Sequence, residues 1–345
     1  MIYTVTARLV AREAVVFTDL YRARPGRAHR SPVALAAIPL AVCAVFQLGA
    51  KRAEASPAPV PFAFPAESTL SVNADGLGLA FLDSLLGRSG KLRAHFITRQ
   101  RSLGLPLLQR LFGDSAAERP GVYAWRDSLL SDRVFNFITM RPFTDKIAGR
   151  IGGYRIGAFP SERRHARTET YVNPEGFIEV TPSNIDTPVS EHFRLGDFMT
   201  HDQQDVWPKY LVLNERLVDK LELVIQDLNA HGIPVRHLTI MSGFRTPEYN
   251  VRGVGRGGRA KDSRHQFGDA ADVFVDNNGT GRGADLNHDG RVDYRDARVV
   301  MQSVNRVEAA HPELAGGCGV YRGTRAHGPF THIDARGSRA RWGLV

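Results

Sequence analysis

Apolar positions in the C-terminal half of the chain recur at two different spacings. Between residues 214 and 231 they follow one another at intervals of four, three and four, as Leu217, Leu221, Val224 and Leu228. This is the period of an amphipathic helix, and Gly232 and Pro234 are typical of its end. Short apolar or alternating runs predict strands instead, and they cover 238–241, 271–276 and 330–335. With a second helix predicted to end near residue 311, this order of elements indicates an α+β fold.

The region from 66 to 185 carries weaker signals. Amphipathic spacing predicts helices over three segments of it, namely 78–86, 102–112 and 127–138. Short strands and turns are predicted between 150 and 185. No chemical motif stands out, so we predict an N-terminal region of unknown role over 66–185, followed by a second domain over 186–345.

The first 55 residues resemble an export segment. An uncharged run of 20 residues, Ser31–Ala50, follows six arginines and precedes Lys51 and Arg52. We interpret residues 1–30 as a basic cytoplasmic flank and residues 31–55 as a signal peptide or a membrane anchor, since the run is just long enough to span a bilayer. The Pro-rich stretch 56–65 reads as a linker. Everything after it is predicted to lie in the periplasm or cell envelope, tethered to the inner membrane if the segment is not removed.

Charge and cysteine content narrow the function classes. The formal net charge is +9 over 345 residues. More than half of this excess falls in residues 1–55, so the rest of the chain is nearly balanced and we expect no nucleic-acid partner. The chain has two cysteines, Cys43 and Cys318. Because Cys43 lies in the export segment, we expect no disulfide in the exported part.

Two short patterns bring together residue types that bind metals. In the first, His265 lies in a loop and Asp272 follows at the start of an alternating strand. In the second, Phe330, His332 and Asp334 share one face of the last strand. If the two strands are neighbours, His265, Asp272 and His332 converge as two imidazoles and one carboxylate, the ligand set of a catalytic zinc with an open fourth position. Spacing alone leaves open that they are ordinary histidines.

These patterns, with a third, resemble a known family. The segments SGFRT (242–246), SRHQFGDAAD (263–272) and HGPFTHID (327–334) are similar to the zinc D-alanyl-D-alanine carboxypeptidases, which share a fold with lysostaphin-type peptidases and the hedgehog signalling domain. The resemblance covers about 189–337. It implies a small antiparallel sheet flanked by helices, with a metal site at the strand ends and peptidoglycan stem peptides as substrate.

The resemblance also implies roles for individual residues. Zinc would be bound by His265, Asp272 and His332, and Arg245 would bind a substrate carboxylate. His327 matches a catalytic histidine of some members. The chain departs from the family where Phe330 replaces a histidine and where no glutamate lies in 324–331. The general base is therefore assigned to His327, with Asp269 as the second candidate.

A calcium-binding loop is predicted within an insertion over 276–311. Oxygen-bearing side chains fall at positions 1, 3, 5, 9 and 12 of a twelve-residue loop, and Gly290 occupies position 6. The predicted ligands are Asp285, Asn287, Asp289, Asp293 and Asp296, with Arg291 contributing its backbone carbonyl. The loop resembles an EF-hand of the dockerin type, because position 12 is Asp instead of Glu. An Asp-rich solvated turn is the alternative.

The segment 251–264 combines glycines with Arg252, Arg256, Arg259, Lys261 and Arg264. We interpret it as a flexible cationic lid facing an anionic wall polymer, with a merely solvated loop as the alternative. Taken together, the sequence favours an exported zinc metallopeptidase that hydrolyses a D-amino-acid-containing bond, as a D,D-carboxypeptidase or an endopeptidase. The alternatives are a non-catalytic wall-binding scaffold that retains the metal and calcium-mediated docking to a partner.

Overall fold

The computed structural model describes residues 84–98, 105–126, 134–163, 168–255 and 258–343. The predicted export segment, the linker over 56–65 and Arg256 lie outside these ranges. Within them, no helix is both long enough and apolar enough to cross a membrane.

The described elements form a mixed α+β structure, in agreement with the predicted class. In chain order they are β1 (Ala94–Ile97), α1 (Leu105–Phe112), α2 (Asp114–Glu118), β2 (Gly121–Arg126), β3 (Val134–Thr139), β4 (Arg141–Pro142), β5 (Arg150–Ile151), β6 (Tyr154–Arg155), α3 (Pro160–Arg163), β7 (Gly176–Val180), β8 (Lys209–Leu211), α4 (Glu215–Ala230), β9 (Leu238–Ser242), α5 (Pro247–Val251), β10 (Ala270–Val275), α6 (Tyr294–Ala310), β11 (Gly317–Tyr321), β12 (Phe330–Asp334) and β13 (Ala340–Trp342).

A five-stranded sheet organises the C-terminal half, with strand order β13-β11-β12-β10-β9. Its neighbouring strands are antiparallel except for β11 and β13, which run parallel. Successive side chains of a strand point to opposite faces. Val273, Ile333 and Cys318 are fully buried on one face, where α6 packs against β11 and β12. The other face carries Asp272 and His332.

The long helix α4 forms where the apolar spacing predicts it. The side chain of Asn214 caps its first turn by accepting the N–H of Arg216 at 2.9 Å, which satisfies one of the donors left free at a helix start. The apolar positions of α4 are buried, and the helix packs against α6. Three buried positions are charged, namely Asp219, Lys220 and Glu222. Lys220 donates to Glu308 Oε1 of α6 and to the backbone carbonyl of Asp334, both at 2.7 Å.

The helix predicted over 127–138 is wrong in its described part, because Val134–Thr139 is strand β3. This strand lies in the middle of a smaller sheet of order β1-β3-β2. Its side chains face two cores, since Phe137 packs in a small cluster with α1 while Ile138 joins the main core. A strand buried on both faces loses the polar alternation that identifies strands in a sequence.

The main hydrophobic core includes residues from both sides of the predicted boundary at 185/186. Phe159, Phe177 and Ile178 are buried in the same cluster as Phe244 and Phe267. The ring of Phe159 lies 6.2 Å from that of Phe267, which belongs to the segment carrying His265. Residues of 141–163 and 168–185 therefore help to support the loop on which the candidate site is built.

Candidate metal centre

Two of the three predicted zinc ligands face each other across neighbouring strands. Asp272 of β10 is directly opposite His332 of β12, and Ser242 of β9 and Gly319 of β11 continue the same row across the sheet. The register of β9 against β10 shifts next to Asp272, an irregularity that bends the strand locally. The row lies on the face turned away from α6.

The third predicted ligand, His265, comes from a 3-10 turn over Arg264–Phe267. The turn ends at Gly268, whose backbone is left-handed (φ 69°) and so close to the carbonyl of Val212 that a Cβ would lie 2.3 Å from its oxygen. Only glycine fits this close approach. His265 is almost fully buried, and its Nδ1 donates to the carbonyl of Gly243 at 2.7 Å.

The three ligand atoms form a nearly equilateral triangle. His332 Nδ1 lies 2.9 Å from Asp272 Oδ1 and 3.1 Å from His265 Nε2, and the remaining side measures 3.2 Å. Zinc bonds of about 2.0–2.2 Å at tetrahedral angles separate ligand atoms by about 3.3 Å. Among the described residues, no other set of three His, Cys, Asp or Glu brings its ligand atoms together in this way.

The hydrogen bonds around the triangle leave acceptors facing its centre. Because Nδ1 of His265 donates to a carbonyl, Nε2 of its neutral ring has a lone pair. His332 presents the lone pair of Nδ1 in the same way, since its Nε2 lies 3.1 Å from Asp334 Oδ2. When both rings are neutral, two ring nitrogens and a carboxylate oxygen point their lone pairs at one centre, and this donor set fits a zinc ion, which would displace the second proton of His332.

Asp334 supports His332 from behind. Its carboxylate also accepts the backbone N–H of Gly317 at 2.7 Å and Nε of Arg336 at 2.9 Å. A carboxylate behind a ligating imidazole fixes the ring orientation and raises its basicity. The sequence placed Asp334 on the face of His332 without assigning it this role, although the two-residue spacing in a strand was the available signal.

Burial and neighbouring charges shift the pKa values of the three triangle residues in opposite directions. Burial alone would favour the neutral form of Asp272, but the charges and hydrogen bonds of His265 and His332 hold its pKa well below the usual range. Burial lowers the pKa of His265. Burial also acts to lower the pKa of His332, but hydrogen bonds to Asp272 and Asp334 raise it to about 9.

Arg245 contacts a predicted zinc ligand directly. Its Nη2 donates to Asp272 Oδ2, the carboxylate oxygen that is not part of the triangle, and its Nε donates to Ser242 Oγ at 2.8 Å. The side chain is 13% exposed. The guanidinium thus orients Asp272 at the edge of the site. Its predicted contact with a substrate carboxylate stays a prediction.

His327 lies in the loop between β11 and β12. Its ring packs edge-on against Phe330 at 5.1 Å, and its Nδ1 contacts the carbonyl of Gly328 at 2.8 Å. Phe330 precedes His332 by two residues on the same face of β12. His327 is therefore at the rim of the site and partly exposed, and its catalytic role stays a prediction.

Asp269, the second candidate for the general base, is held in a buried ion pair. Arg264 binds both of its oxygens through Nε and Nη2. Arg264 also lies over the rings of Tyr171 and Phe267. Arg259, in the same segment, packs against Tyr249 at 4.1 Å. These two arginines of the predicted cationic lid thus have structural contacts. The role of Asp269 as a base stays a prediction.

An aromatic wall borders the row on the side of β13. The ring of Trp342 lies 5.2 Å from that of His332, and its Nε1 donates to the hydroxyl of Tyr321 at 2.8 Å. Tyr321 stacks in parallel on Phe330 at 4.5 Å. No sequence signal pointed to this wall, because it depends on the pairing of β13 with β11.

The predicted calcium loop is folded around its first residue. Asp285 accepts the N–H groups of Asp289 (3.2 Å) and Gly290 (2.8 Å), and Gly290 has a left-handed backbone with φ 81°. Asp293 caps α6, and Asp296 in the first turn accepts the N–H of Leu286 at 2.8 Å. The other predicted ligands lie in the same turn, with Asn287 accepting the N–H of Asp289 and the N–H of Arg291 donating to Asp289.

In this arrangement the carboxylates of the loop do not bring three ligand atoms as close together as they are in the zinc triangle. Asp289, at position 5, instead pairs with Arg295 at 2.6 Å. Arg295 takes Oδ2 of Asp289, so a calcium ion at position 5 would have to use Oδ1 or displace Arg295.

Comparison of the chain with models of known families, with curated proteins and with solved structures gave no match.

Proposed function

We propose that this chain is an exported zinc metallopeptidase that hydrolyses a D-amino-acid-containing bond of peptidoglycan stem peptides. The observation that carries the proposal is the buried triangle of His265 Nε2, Asp272 Oδ1 and His332 Nδ1, whose sides of 2.9–3.2 Å suit a tetrahedral zinc. The substrate class rests on the resemblance of the three motifs to zinc D-alanyl-D-alanine carboxypeptidases.

In this proposal the three ligands hold zinc, which when bound supplies a Lewis acid and lowers the pKa of its water. Asp334 keeps the His332 ring in place through Nε2. Arg245 holds Asp272 and turns its remaining N–H groups toward the carboxylate of the substrate, a group that a planar guanidinium binds well. His327 moves the proton at the rim of the site.

Zinc content and turnover test the proposal together. We expect about one zinc per purified full-length chain, lost in His265→Ala and retained in His231→Ala, a histidine at the exposed end of α4. Zinc-loaded protein should cleave a muropeptide ending in D-Ala-D-Ala, and His332→Ala should not. Release of free D-alanine indicates a carboxypeptidase, and cleavage within cross-linked muropeptides indicates an endopeptidase. A chain that takes up no zinc when zinc is supplied contradicts the proposal.

A non-catalytic wall-binding module is the second candidate. It is favoured by the lack of a carboxylate in 324–331 and by the ion pair that occupies Asp269. This candidate predicts zinc uptake and saturable binding of muropeptides without any product, whereas the peptidase releases product in proportion to time.

We also propose a structural calcium ion in the loop Asp285–Asp296. A single loop with Asp at position 12 should bind calcium with a Kd of about 10⁻⁴ to 10⁻³ M, as in extracellular modules. Calorimetry should show this binding in the wild type and in Asp186→Ala, an aspartate outside the loop, and its loss in Asp285→Ala. Equal heats for Asp285→Ala and the wild type contradict the assignment.

A further inference from the structure

We propose that the hydroxyl of Tyr321 donates a hydrogen bond to the carbonyl oxygen of the scissile amide as that oxygen becomes negatively charged. The inference rests on the proposed peptidase function and adds a catalytic residue to it. It assigns the aromatic wall beside His332 a chemical role, where the sequence assigned none.

The strand register places Tyr321 on the same face as the metal centre. Gly319 of β11 is directly opposite His332, and Tyr321, two residues further, is directly opposite Phe330. Residues two apart in a strand share a face. Tyr321 therefore rises from the sheet one step along from the row of ligands.

Trp342 turns the hydroxyl of Tyr321 back toward that row. A Cβ on Gly319 would lie 2.0 Å from Nε1 of Trp342, so the indole N–H sits directly over Gly319, beside His332. The hydroxyl of Tyr321 is 2.8 Å from this Nε1. It is thus held above the residue that pairs with His332, within reach of a substrate bound at the triangle.

The hydrogen bond from Trp342 also decides how the phenol can act. Its oxygen accepts the indole N–H, so its own hydrogen is left to donate. Among the described residues, no acceptor lies within hydrogen-bond distance of this hydrogen. Parallel stacking on Phe330 at 4.5 Å fixes the ring, and 38% of Tyr321 is exposed. Burial raises the pKa of Tyr321, which keeps the phenol protonated at neutral pH.

Hydrolysis of the amide places negative charge on the carbonyl oxygen, and a hydrogen-bond donor stabilises that charge. Water adds to the amide carbon, and the electron pair of the C=O bond moves to the oxygen. The C–N bond then breaks, and the leaving nitrogen takes the proton that water gave up. Tyr321 keeps its proton throughout and only donates a hydrogen bond to the oxygen while it is charged. A preorganised donor of this kind typically contributes 10²–10³-fold to kcat.

Tyr321→Phe tests the inference, because it removes one oxygen and keeps the ring on Phe330. We expect unchanged zinc content, kcat lower by about 10²-fold and a nearly unchanged KM. Tyr123→Phe is the matched control, since its hydroxyl contacts only the carbonyl of Arg119 in the small sheet among the described residues. Trp342→Phe removes the orienting N–H and should lower kcat by less than Tyr321→Phe does.

Calorimetry with a phosphinate analogue of D-Ala-D-Ala separates this inference from the proposed function, since the phosphinate oxygens imitate the charged tetrahedral oxygen. Zinc-loaded wild type should bind it at least tenfold more tightly than Tyr321→Phe. That difference in a protein without turnover would overturn the peptidase and with it the catalytic role of Tyr321, leaving only a hydrogen bond from Tyr321 to a bound ligand. Turnover and phosphinate binding that are both unchanged in Tyr321→Phe, or an effect on KM alone, would overturn the donor and leave the peptidase standing. A wild type that neither binds nor hydrolyses overturns both.

Discussion

Asp334 contacts His332 across the two-residue repeat of a single strand, with its Oδ2 at 3.1 Å from Nε2 of the ring. The same carboxylate accepts N–H groups from Gly317 and Arg336. Asp334 is therefore held by its own partners and can hold the ring in turn. The ring nitrogen that faces Asp272 and His265 is aimed by this contact.

We expect Asp334→Asn to lower zinc affinity by about 10- to 100-fold, because an amide orients the ring less firmly and makes it less basic. Competition with a chelator of known affinity measures the change. Asp227→Asn is the matched control. Asp227 is also bound by an arginine, Arg306, but it lies on α4 and does not contact a predicted zinc ligand. Equal affinities in both variants would mean that packing alone orients His332.

Arg245→Lys should lower zinc affinity by roughly tenfold, because it removes the guanidinium that donates to both Ser242 Oγ and Asp272 and so orients this ligand. A lysine ammonium cannot make both contacts in the same geometry. The exposed Arg252→Lys serves as control.

A pair of substrates tests the second role proposed for Arg245. The wild type should prefer a peptide with a free terminal carboxylate over its amide, and Arg245→Lys should lose much of this preference. A preference that survives intact would restrict Arg245 to holding Asp272.

Lys220→Met should destabilise the fold by about 3 kcal/mol, because it leaves the buried carboxylate of Glu308 without one of its cationic partners. Lys220 and Glu308 are both almost fully buried. Lys91→Met is the control, since Lys91 and Glu191 form a partly exposed pair worth about 1 kcal/mol or less. Urea denaturation measures both, and equal losses would show that the buried pair adds nothing beyond a surface pair.

Stability should depend on pH through His192. Its hydrogen bond to Glu222, at 2.7 Å, raises the pKa of His192 in the folded chain, against burial and with further support from the charge of Glu222 and Glu191. The folded state then binds the proton more tightly than the unfolded state. The stabilisation is complete below the pKa that His192 has in the unfolded chain, about 6.5. It is lost as pH rises through the higher pKa that His192 has in the folded chain.

His192→Gln should remove this part of the pH dependence. Urea midpoints between about pH 5 and 9 measure it, with the exposed His231→Gln as control. Parallel profiles for His192→Gln and the wild type would contradict the assignment.

Local patterns in the chain identified most of the C-terminal elements. The spacing in 214–231 predicted α4, and the short runs around Asp272 and His332 predicted β10 and β12 to within a residue or two. The helix over 127–138 failed because β3 is buried on both faces. Strands β11 and β13 were missed, since Gly317–Tyr321 is rich in glycine and Ala340–Trp342 is too short to show a period.

The sequence by itself determined which residues can share a face or a turn: His332 with Asp334, and the oxygen-bearing side chains of 285–296. Such relationships depend only on the two-residue period of a strand or on the spacing of positions within a short loop. The tertiary structure alone decided that Asp272 lies opposite His332, that Arg245 binds Asp272 and that Trp342 covers Gly319. These contacts join residues up to 60 positions apart, and their register follows from the packing of whole strands and helices, which no local period encodes.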